Sequence, residues 1–437
     1  MPMLEARSLS KAYDGIIALN DGSLSCDAGQ VCGLLGANGS GKSTFSKIVS
    51  GLVFPGSGEI LLEGCPVEFK SNVHARKHGI AMVHQNLSLV PELTVWENIT
   101  LGHESVSPAG FFQKSKAIDS AREAVERLCP GLDLYSKVGT LSPANRQLVE
   151  VAKAVCQKPR LMIMDEPTAA LELAQVETLF QLIGEWKQAG MAIIFISHRL
   201  WEVTRICDFV VVFRDGNTVG TLDFRKGEAD DGRILSLITG KTNSRSIYYQ
   251  KETPVWPQAM LEVSGLSVGK IRNFSLTLRK GEVVGVGGLQ GQGQEQEELL
   301  LALSGLFPSV GSVAIEGKPV RLSHPREAIR EGIMLVPGDR HKEGLFLKHD
   351  VFSNLVYPKF SQKSHRRRVP FALFFRECAD IIRSLSINPP NREKPVRFLS
   401  GGNQQKVVVG KWVNLHPRVL LLSDPAKGVD IEAKFEL

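Results

Sequence analysis

Residues 36–44 read GANGSGKST, which has the spacing of a phosphate-binding loop. Its three glycines let the backbone curl until its N–H groups face phosphate oxygens. Lys42 could reach the β- and γ-phosphates of a nucleotide, and the Ser43 hydroxyl could bind Mg²⁺. The chemistry predicted for this segment is therefore the binding of a nucleoside triphosphate.

Two adjacent carboxylates follow a second apolar segment of the chain. LMIMDEP places Asp165 and Glu166 at the carboxyl end of a predicted buried strand, Leu161–Met164. An acidic pair in that position is costly unless a metal or a reacting water uses it. We expect Asp165 to help hold Mg²⁺ and Glu166 to polarise the water that attacks the γ-phosphate. The alternative is a solvated turn after the strand.

Three further side chains could join this site. Gln85 follows the predicted strand IAMVH, and His198 follows IIFIS. Because α/β folds gather ligands beyond the carboxyl ends of their strands, Gln85 could meet the metal and the attacking water, and His198 the γ-phosphate. Tyr13 could stack on adenine, although an aromatic residue in such a strand-rich segment is as often part of the core.

A short glycine-containing loop near the end of the sequence offers a second anion site. LSGGNQQ opens a predicted helix, so Ser400, Gly401 and Gly402 would present a hydroxyl and backbone N–H groups at the helix N-terminus. On its own this motif is weak, because helix caps of the form Ser-Gly are common.

The segments around these residues predict an α/β architecture. VCGLL, Val31–Leu35, reads as a buried strand before the phosphate loop, and TFSKIVSGL, from Thr44, as the opening of a helix. Helical patterns cover Lys114–Leu128 and Arg146–Cys156, and MAIIFIS, Met191–Ser197, is a further predicted strand. Alternation of strands and helices favours a core with a largely parallel sheet.

The sequence contains an internal repeat. LSPANRQLVEVAKAV, from Leu141, matches LSGGNQQKVVVGKWV, from Leu399, and several other segments recur at a similar separation of about 250 residues. We therefore predict two domains of one fold, 1–242 and 259–437, joined by a polar, proline-bearing linker at 243–258. Each copy should contain a strand, a glycine-rich loop and a helix in that order.

The second copy is expected to be incomplete. In the register of the repeat, the printed sequence stops at Leu437, opposite Leu179 of the first copy. The counterpart of the predicted strand Met191–Ser197 then falls beyond Leu437. We expect the second sheet to lack at least one strand and to have an exposed edge.

Composition narrows the class of protein. The chain has 437 residues, 43% of them hydrophobic and 22% charged, as in soluble globular proteins with two or three domains. The net charge of +6 is spread along the chain, and the basic run at 365–368 reads as an exposed loop, so nucleic acid is not expected as a partner. The seven cysteines lack any CxxC spacing, which predicts free thiols in a reducing cytosol. No apolar stretch approaches the roughly 18 residues that span a bilayer, so any membrane role must act through partner subunits.

With these motifs in this order, the chain resembles the ATP-binding subunits of ABC transporters. It is most similar to the tandem-cassette type that powers bacterial import of monosaccharides such as ribose, galactose or xylose. VPGDRHKEGL, from Val336, resembles VPEDRKREGL, which is typical of that sugar-import branch. The resemblance implies two tandem ATPase cassettes, each with a mainly parallel core sheet, an antiparallel β subdomain and a helical subdomain, with the second cassette incomplete.

The resemblance also implies an activity and a set of partners. The chain would be an ATPase at the cytoplasmic face of the inner membrane that uses ATP and Mg²⁺. Its partners would be integral-membrane permease subunits and, indirectly, a periplasmic or extracellular sugar-binding protein. Catalysis would involve Gln85, Glu166 and His198, and the metal would be held by Ser43, Gln85 and Asp165. Nucleotide contacts would come from Tyr13, Gly36, Asn38, Gly39, Ser40, Gly41, Lys42, Ser43, Thr44, Ser400, Gly401 and Gly402.

The resemblance implies one intact and one degenerate site. In ABC proteins two cassettes pack head to tail, so each ATP lies between the Walker loops of one cassette and the signature of the other. The first site would join the Lys42 loop to Ser400, with every part present. In the second site the matching positions hold Val268 for Tyr13, Gln294 for Lys42, Glu295 for Ser43, Gly338 for Gln85, Ser423 for Asp165 and Asp424 for Glu166. Pro143 in the first copy's LSPANRQ also removes a backbone donor, so we expect one competent site per chain.

Two alternatives to an ATPase that drives sugar uptake stay open at this point. The chain could be a truncated, inactive fragment of such a subunit, because a missing strand would expose apolar surface. It could also be a soluble tandem-cassette ATPase that acts on ribosomes or nucleic acid. Such proteins usually have a long charged linker and two intact phosphate loops, which this sequence does not have.

Overall fold

The structure, a computed structural model, describes residues 1–13, 15–103, 107, 110–227, 230–240, 255–288, 295–362, 371–427 and 429. The chain divides into two compact units, Met1–Ile247 and Tyr248–Leu437. Most of the predicted linker, Gln294, the basic run at 365–368 and the residues from Asp430 onward lie outside the described residues.

The first unit is organised around one mixed sheet, which has ten strands within the described residues. In chain order they are β1 (Leu4–Tyr13), β2 (Ile16–Cys26), β3 (Val31–Leu35), β4 (Ser57–Leu62), β5 (Cys65–Pro66), β6 (Ile80–Val83), β7 (Leu161–Asp165), β8 (Ala192–Ile196), β9 (Phe209–Arg214) and β10 (Asn217–Asp223). Across the sheet their order is β5-β4-β1-β2-β10-β9-β3-β8-β7-β6. The pairs among β1, β2, β4 and β5 are antiparallel, whereas β9, β3, β8, β7 and β6 run parallel to one another.

Strand β3 lies inside the parallel region, between β8 and β9. Cys32 is paired with Ile194 of β8 on one side and with Phe209 of β9 on the other. All five residues of β3 are buried. A strand covered on both faces reads as an uninterrupted apolar run, and for this reason VCGLL predicted β3 with its correct bounds.

The helices of the first unit follow the predicted alternation with strands. They are α1 (Lys42–Val49), α2 (Asn72–Lys77), α3 (Val95–Thr100), α4 (Lys114–Leu128), α5 (Pro143–Val155), α6 (Leu173–Gln188), α7 (Leu200–Ile206) and α8 (Asp231–Thr239). Helix α4 has the predicted bounds. Helix α5 begins before the predicted Arg146, because the Ser142 side chain accepts a hydrogen bond from Asn145 N and caps a first turn that tolerates Pro143.

An aromatic contact fixes α1 against the sheet. The rings of Phe45 in α1 and Phe213 in β9 meet edge-on with centroids 5.3 Å apart. Both side chains are fully buried within the apolar core of this unit. Because β9 pairs with β3, this contact also fixes the start of α1 relative to the end of β3.

The second unit contains two smaller sheets within its described residues. Its strands are β11 (Ala259–Val268), β12 (Ile271–Arg279), β13 (Val310–Ile315), β14 (Lys318–Val320), β15 (Ile333–Val336) and β16 (Val419–Leu422). Strands β12-β11-β13-β14 form an antiparallel sheet, and β15 and β16 form a parallel pair. The helices are α9 (Glu295–Leu303), α10 (Pro325–Arg330), α11 (Val351–Gln362), α12 (Phe371–Ser384) and α13 (Gly401–Val413).

The strand predicted before the second glycine-rich loop is not formed. Residues 282–288, at the position of β3 in the repeat, are assigned to neither strand nor helix, and Val283 is 81% exposed. In the first unit β3 is bonded on both sides, by β8 and β9. Within the residues that the structure describes, no strand pairs with 282–288. Apolar sequence alone does not make a strand when its hydrogen-bonding partners are missing.

Two further features concern the cysteines and the helices. The seven cysteines of the chain, all within described segments, are free. Among the helices that the structure describes, none combines the length and the apolar character needed to cross a membrane.

Candidate active site

The phosphate loop depends on glycine at two positions with left-handed backbone. Gly36 has φ 152°, and a Cβ there would lie 2.2 Å from the Phe213 carbonyl oxygen and 2.5 Å from Ser40 Oγ. Gly41 has φ 101°, and a Cβ there would lie 2.9 Å from the Ala18 carbonyl oxygen. The loop therefore cannot keep this shape with a side chain at either position.

Replacing Gly36 by Ala should lower the free energy of unfolding by about 1–3 kcal/mol, because the methyl group meets rigid backbone at a strained φ. Gly184 in α6 is a matched control, since a Cβ there has nothing within 4 Å. Gly184→Ala should be neutral or stabilising by up to about 1 kcal/mol, because alanine favours helix. Denaturant unfolding of both variants checks the prediction, and equal losses of stability would contradict it.

Lys42 lies inside the phosphate loop. Its Nζ donates hydrogen bonds to the carbonyl oxygens of Gly36, at 2.7 Å, and Ala37, at 2.8 Å. Helix α1 starts at Lys42 after Gly41, and no side chain caps its first turn. Uncapped N–H groups at a helix start, next to a half-buried ammonium group, form an anion site.

The other predicted loop residues differ in exposure. Asn38, Gly39 and Ser43 are exposed, Thr44 is half-buried, and Ser40 is only 3% exposed. The Ser43 hydroxyl is thus accessible to a ligand at the start of α1. The assignment of these residues to nucleotide contacts stays a prediction.

The structure brings Gln85, Glu166 and His198 together. His198 Nδ1 lies 3.2 Å from Glu166 Oε1, and Gln85 Nε2 donates to Glu166 Oε2 at 3.3 Å. These residues follow β6, β7 and β8, which are adjacent and parallel, so their carboxyl ends reach the same edge of the sheet. Glu166 has φ 49°, and its backbone N–H donates to the Ile196 carbonyl oxygen at 2.9 Å.

The surroundings of Asp165 and Glu166 shift the pKa values of the two carboxyl groups in opposite directions. Burial, together with the adjacent Glu166 charge, raises the pKa of Asp165 to about 6. The hydrogen bond from His198 holds the pKa of Glu166 below its usual range, despite partial burial. The positive charge of Lys42 acts on both groups in the direction of ionisation. At neutral pH Glu166 is therefore ionised and can accept a proton.

The residues predicted to hold a metal fit magnesium. Ser43, Gln85 and Asp165 offer a hydroxyl, an amide oxygen and a carboxylate, the oxygen donors that Mg²⁺ prefers. Within the described ranges, no group of three or more His, Cys, Asp or Glu side chains could hold a metal ion by itself.

Tyr13 is not part of the core, so the core alternative for this residue is wrong. It ends β1, is 41% exposed, and has the Lys11 Nζ 5.8 Å from its ring centroid. An exposed aromatic face is available for stacking, and stacking on adenine stays a prediction.

In the second unit, Ser400 directly precedes α13 and caps its N-terminus. Its side chain accepts a hydrogen bond from Asn403 N. Gln404 in the same first turn is buried, and its Nε2 donates to the carbonyl oxygens of Val396, at 3.2 Å, and Leu399, at 3.3 Å. Its Oε1 lies 2.9 Å from His341 Nε2, so the VPGDRHKEGL segment holds the start of α13. In the sequence, that segment indicated only a similarity to the sugar-import branch, and this contact was not predicted.

At the equivalent of Glu166, the second unit keeps the backbone conformation of the first unit without its chemistry. Asp424 has φ 40°, close to the φ of Glu166 at the equivalent position. Helix α9 carries Glu295, Glu297 and Glu298 in its first turn. Three carboxylates at the start of a helix repel phosphate, where Lys42 and Ser43 would attract phosphate and metal in the first unit.

Sequence reasoning also missed Glu202, which lies fully buried in α7. Its carboxylate accepts hydrogen bonds from side chains in the two loops that carry Glu166 and His198. The signal in the sequence was an acidic residue within the short apolar helix LWEVTRI. A buried carboxylate is rarely found without dedicated partners.

A buried parallel strand, a phosphate loop, a helix and a carboxylate pair on a nearby strand define a P-loop nucleotide hydrolase. The sequence pattern of one family of such proteins, described as ABC transporter, matches residues 19–169 and 271–427, one match in each unit. The chain belongs to the ABC transporter family. It is an ATP-binding protein and an ATPase of that family, and its fold is that of two tandem cassettes.

Three curated relatives match along both units. "Ribose import ATP-binding protein RbsA 1" of Rubrobacter xylanophilus is 40% identical over 441 residues, covering 100% of this chain and 86% of the relative. A "Putative ribose/galactose/methyl galactoside import ATP-binding protein" of Pseudomonas syringae pv. tomato is 37% identical, covering 100% and 82%. "Ribose import ATP-binding protein RbsA" of Geobacillus kaustophilus is 36% identical, covering 100% and 87%.

Proposed function

We propose that this chain hydrolyses Mg²⁺-ATP at the cytoplasmic face of the inner membrane to energise import of a monosaccharide. The names of its relatives support ribose or galactose as the class of sugar. The observation that carries the proposal is the contact of Glu166 with both His198 and Gln85 beside an intact phosphate loop. An ionised carboxylate in that position can accept the proton of the attacking water.

The first unit supplies most of the groups that hydrolysis needs. Phosphate oxygens would replace the carbonyl oxygens of Gly36 and Ala37 as partners of the Lys42 ammonium group. Mg²⁺ held through Ser43, Gln85 and Asp165 would neutralise charge on the phosphates. Glu166 takes the proton from water, and His198 donates a hydrogen bond that keeps the carboxylate oriented. Loop N–H groups stabilise the negative charge.

We place the remaining groups on the second unit. Ser400 and the N–H groups of Gly401 and Gly402 would close over ATP bound in the first unit, as in the head-to-tail arrangement of the family. The exposed position of Ser400 at the start of α13 supports this role. Glu295 and Pro143 also support this role. Each stands where a group that binds nucleotide is expected, and both belong to the other composite site, so the first composite site is complete.

Asp165 gives the protein a predicted pH dependence. Mg²⁺ binds the ionised carboxylate, and the pKa of Asp165 near 6 means that protons compete below that pH. Mg²⁺-dependent ATP affinity should therefore fall about tenfold from pH 7 to pH 5. Titration of Mg²⁺-ATP binding by calorimetry checks this. Asp165→Asn should bind weakly at both pH values with no such slope, and an unchanged slope in that variant would contradict the assignment.

Apolar surface on both units supports permease subunits as partners. In the first unit Leu101, Phe111 and Phe112 follow α3 and are exposed. In the second, Phe346 and Phe371 are more than half exposed. Exposed apolar side chains that form a contiguous patch mark surfaces that other proteins cover. Through the permease the chain would act on a periplasmic or extracellular sugar-binding protein without touching it.

The proposed function is tested by purifying the chain together with the permease subunits of a monosaccharide importer. We expect a stable complex whose ATP hydrolysis rises when the sugar-loaded binding protein is added. Co-purification with ribosomes instead would favour the soluble tandem-cassette alternative. Failure to hydrolyse ATP in any complex would favour the inactive fragment.

A further inference from the structure

The carboxylate of Glu202 joins two loops of the active site. Thr168 Oγ1 donates to it and lies 2.9 Å from each of its oxygens. Ser197 Oγ donates to Oε2 at 2.6 Å, and Arg199 Nη1 donates to Oε1 at 3.1 Å. Glu202, Thr168 and Ser197 are all buried, at 0%, 2% and 4% exposure. Three donors from two loops therefore converge on one buried carboxylate.

The positions of these donors relate them to the reacting groups. Thr168 is in the loop that begins with Glu166, and Ser197 directly precedes His198. Ser197 Oγ also accepts a hydrogen bond from the backbone N–H of Arg199 at 3.0 Å, so the backbone on both sides of His198 is held. The contact between Glu166 and His198 is thus backed by a second, buried connection between the same two loops.

The energetics favour a stiff connection. Burial of a carboxylate without hydrogen-bond partners is unfavourable, so the donors cannot leave it without loss of stability. Hydrogen bonds to a charged acceptor in a low-dielectric setting are stronger than bonds between neutral groups. The carboxylate of Glu202 therefore resists relative movement of the two loops more than an apolar contact would.

Building on the roles proposed above for Glu166 and His198, we propose that Glu202 is a positioning residue for ATP hydrolysis, which sets the distance between the Glu166 carboxylate and the His198 imidazole. It does not touch the reacting atoms and acts through Ser197 and Thr168. Loss of its charge loosens the His198 loop. The catalytic rate then falls, while ATP binding at the phosphate loop is retained.

The test compares Glu202→Gln with Asp208→Asn. Asp208 is also a buried carboxylate of this unit, bonded to Lys187 Nζ at 2.6 Å and to Val31 N at 2.9 Å, at the other end of β3 from the phosphate loop. Glu202→Gln should lower kcat about tenfold or more with the KM for ATP within about twofold of wild type. Asp208→Asn should lower thermal stability and leave kcat unchanged. Equal kcat in both variants and wild type would overturn the proposal.

A double-mutant cycle separates positioning from a structural role. If Glu202 acts through His198, Glu202→Gln should cause no further loss of kcat in a His198→Ala protein. Full additivity of the two losses would overturn the proposal. Should Glu202→Gln fail to fold, Ser197→Ala and Thr168→Val each remove a single donor and serve the same cycle. They should each lower kcat in the wild-type background only.

Discussion

Glu166→Gln protein should hydrolyse ATP at least about a hundredfold more slowly than the wild type and should still bind it. Glutamine keeps the size of the side chain but cannot accept the proton of the attacking water, and general bases typically contribute factors of this order. The phosphate loop, Lys42 and Ser43 are unchanged, so nucleotide affinity should stay within about threefold. Steady-state phosphate release and equilibrium binding of ATP measure the two quantities.

The repeat provides a matched control for this experiment. Asp424 stands at the position of Glu166 in the second unit and has the same left-handed backbone, with φ 40° against 49°. Asp424→Asn removes the same charge from the degenerate site and should leave the rate of hydrolysis unchanged. A Glu166→Gln protein with normal turnover, or equal losses in both variants, would show that Glu166 is not the base.

The parts of the fold that could be predicted are those fixed by local sequence. The apolar runs of β3 and β7 and the periodicity of α4 specified these elements with little error at their ends. The strands that precede Gln85, Glu166 and His198 are neighbours in a parallel sheet, so a general property of such sheets sufficed to predict that the three side chains meet. Asp165 and Glu166 were recognisable because carboxylates are unusual at the end of a buried strand.

The parts that could not be predicted depend on distant partners. Residues 282–288 have the apolar sequence of a strand, but within the described part of the chain no strand pairs with them. The bond between Thr168 and Glu202 joins residues 34 positions apart, and no spacing rule connects them. Likewise, the contact of His341 with Gln404 joins residues 63 positions apart. Side-chain networks of this kind are decided by tertiary packing.

We assign the second unit a role in ATP hydrolysis, although its own phosphate-loop sequence is degenerate. Ser400 and Ser142 cap equivalent helices in the same way, each accepting from the backbone N–H three residues on. Substitution of either serine should therefore cost a similar amount of stability, about 1 kcal/mol. Only Ser400 is proposed to meet ATP. A comparison of substitutions at Ser400 and Ser142 therefore separates a role in folding from a role in catalysis.

The rate of ATP hydrolysis by Ser400→Arg and Ser142→Arg proteins tests the proposed composite site most directly. A bulky arginine at position 400 should prevent closure over the nucleotide, because it displaces donors that stabilise the transition state. The rate of hydrolysis should then fall by a factor of about a hundred or more. The same change at position 142 should leave the rate close to that of the wild type. Equal rates in the two variants, whether both are lost or both are retained, would contradict the claim that the second unit completes the site of the first.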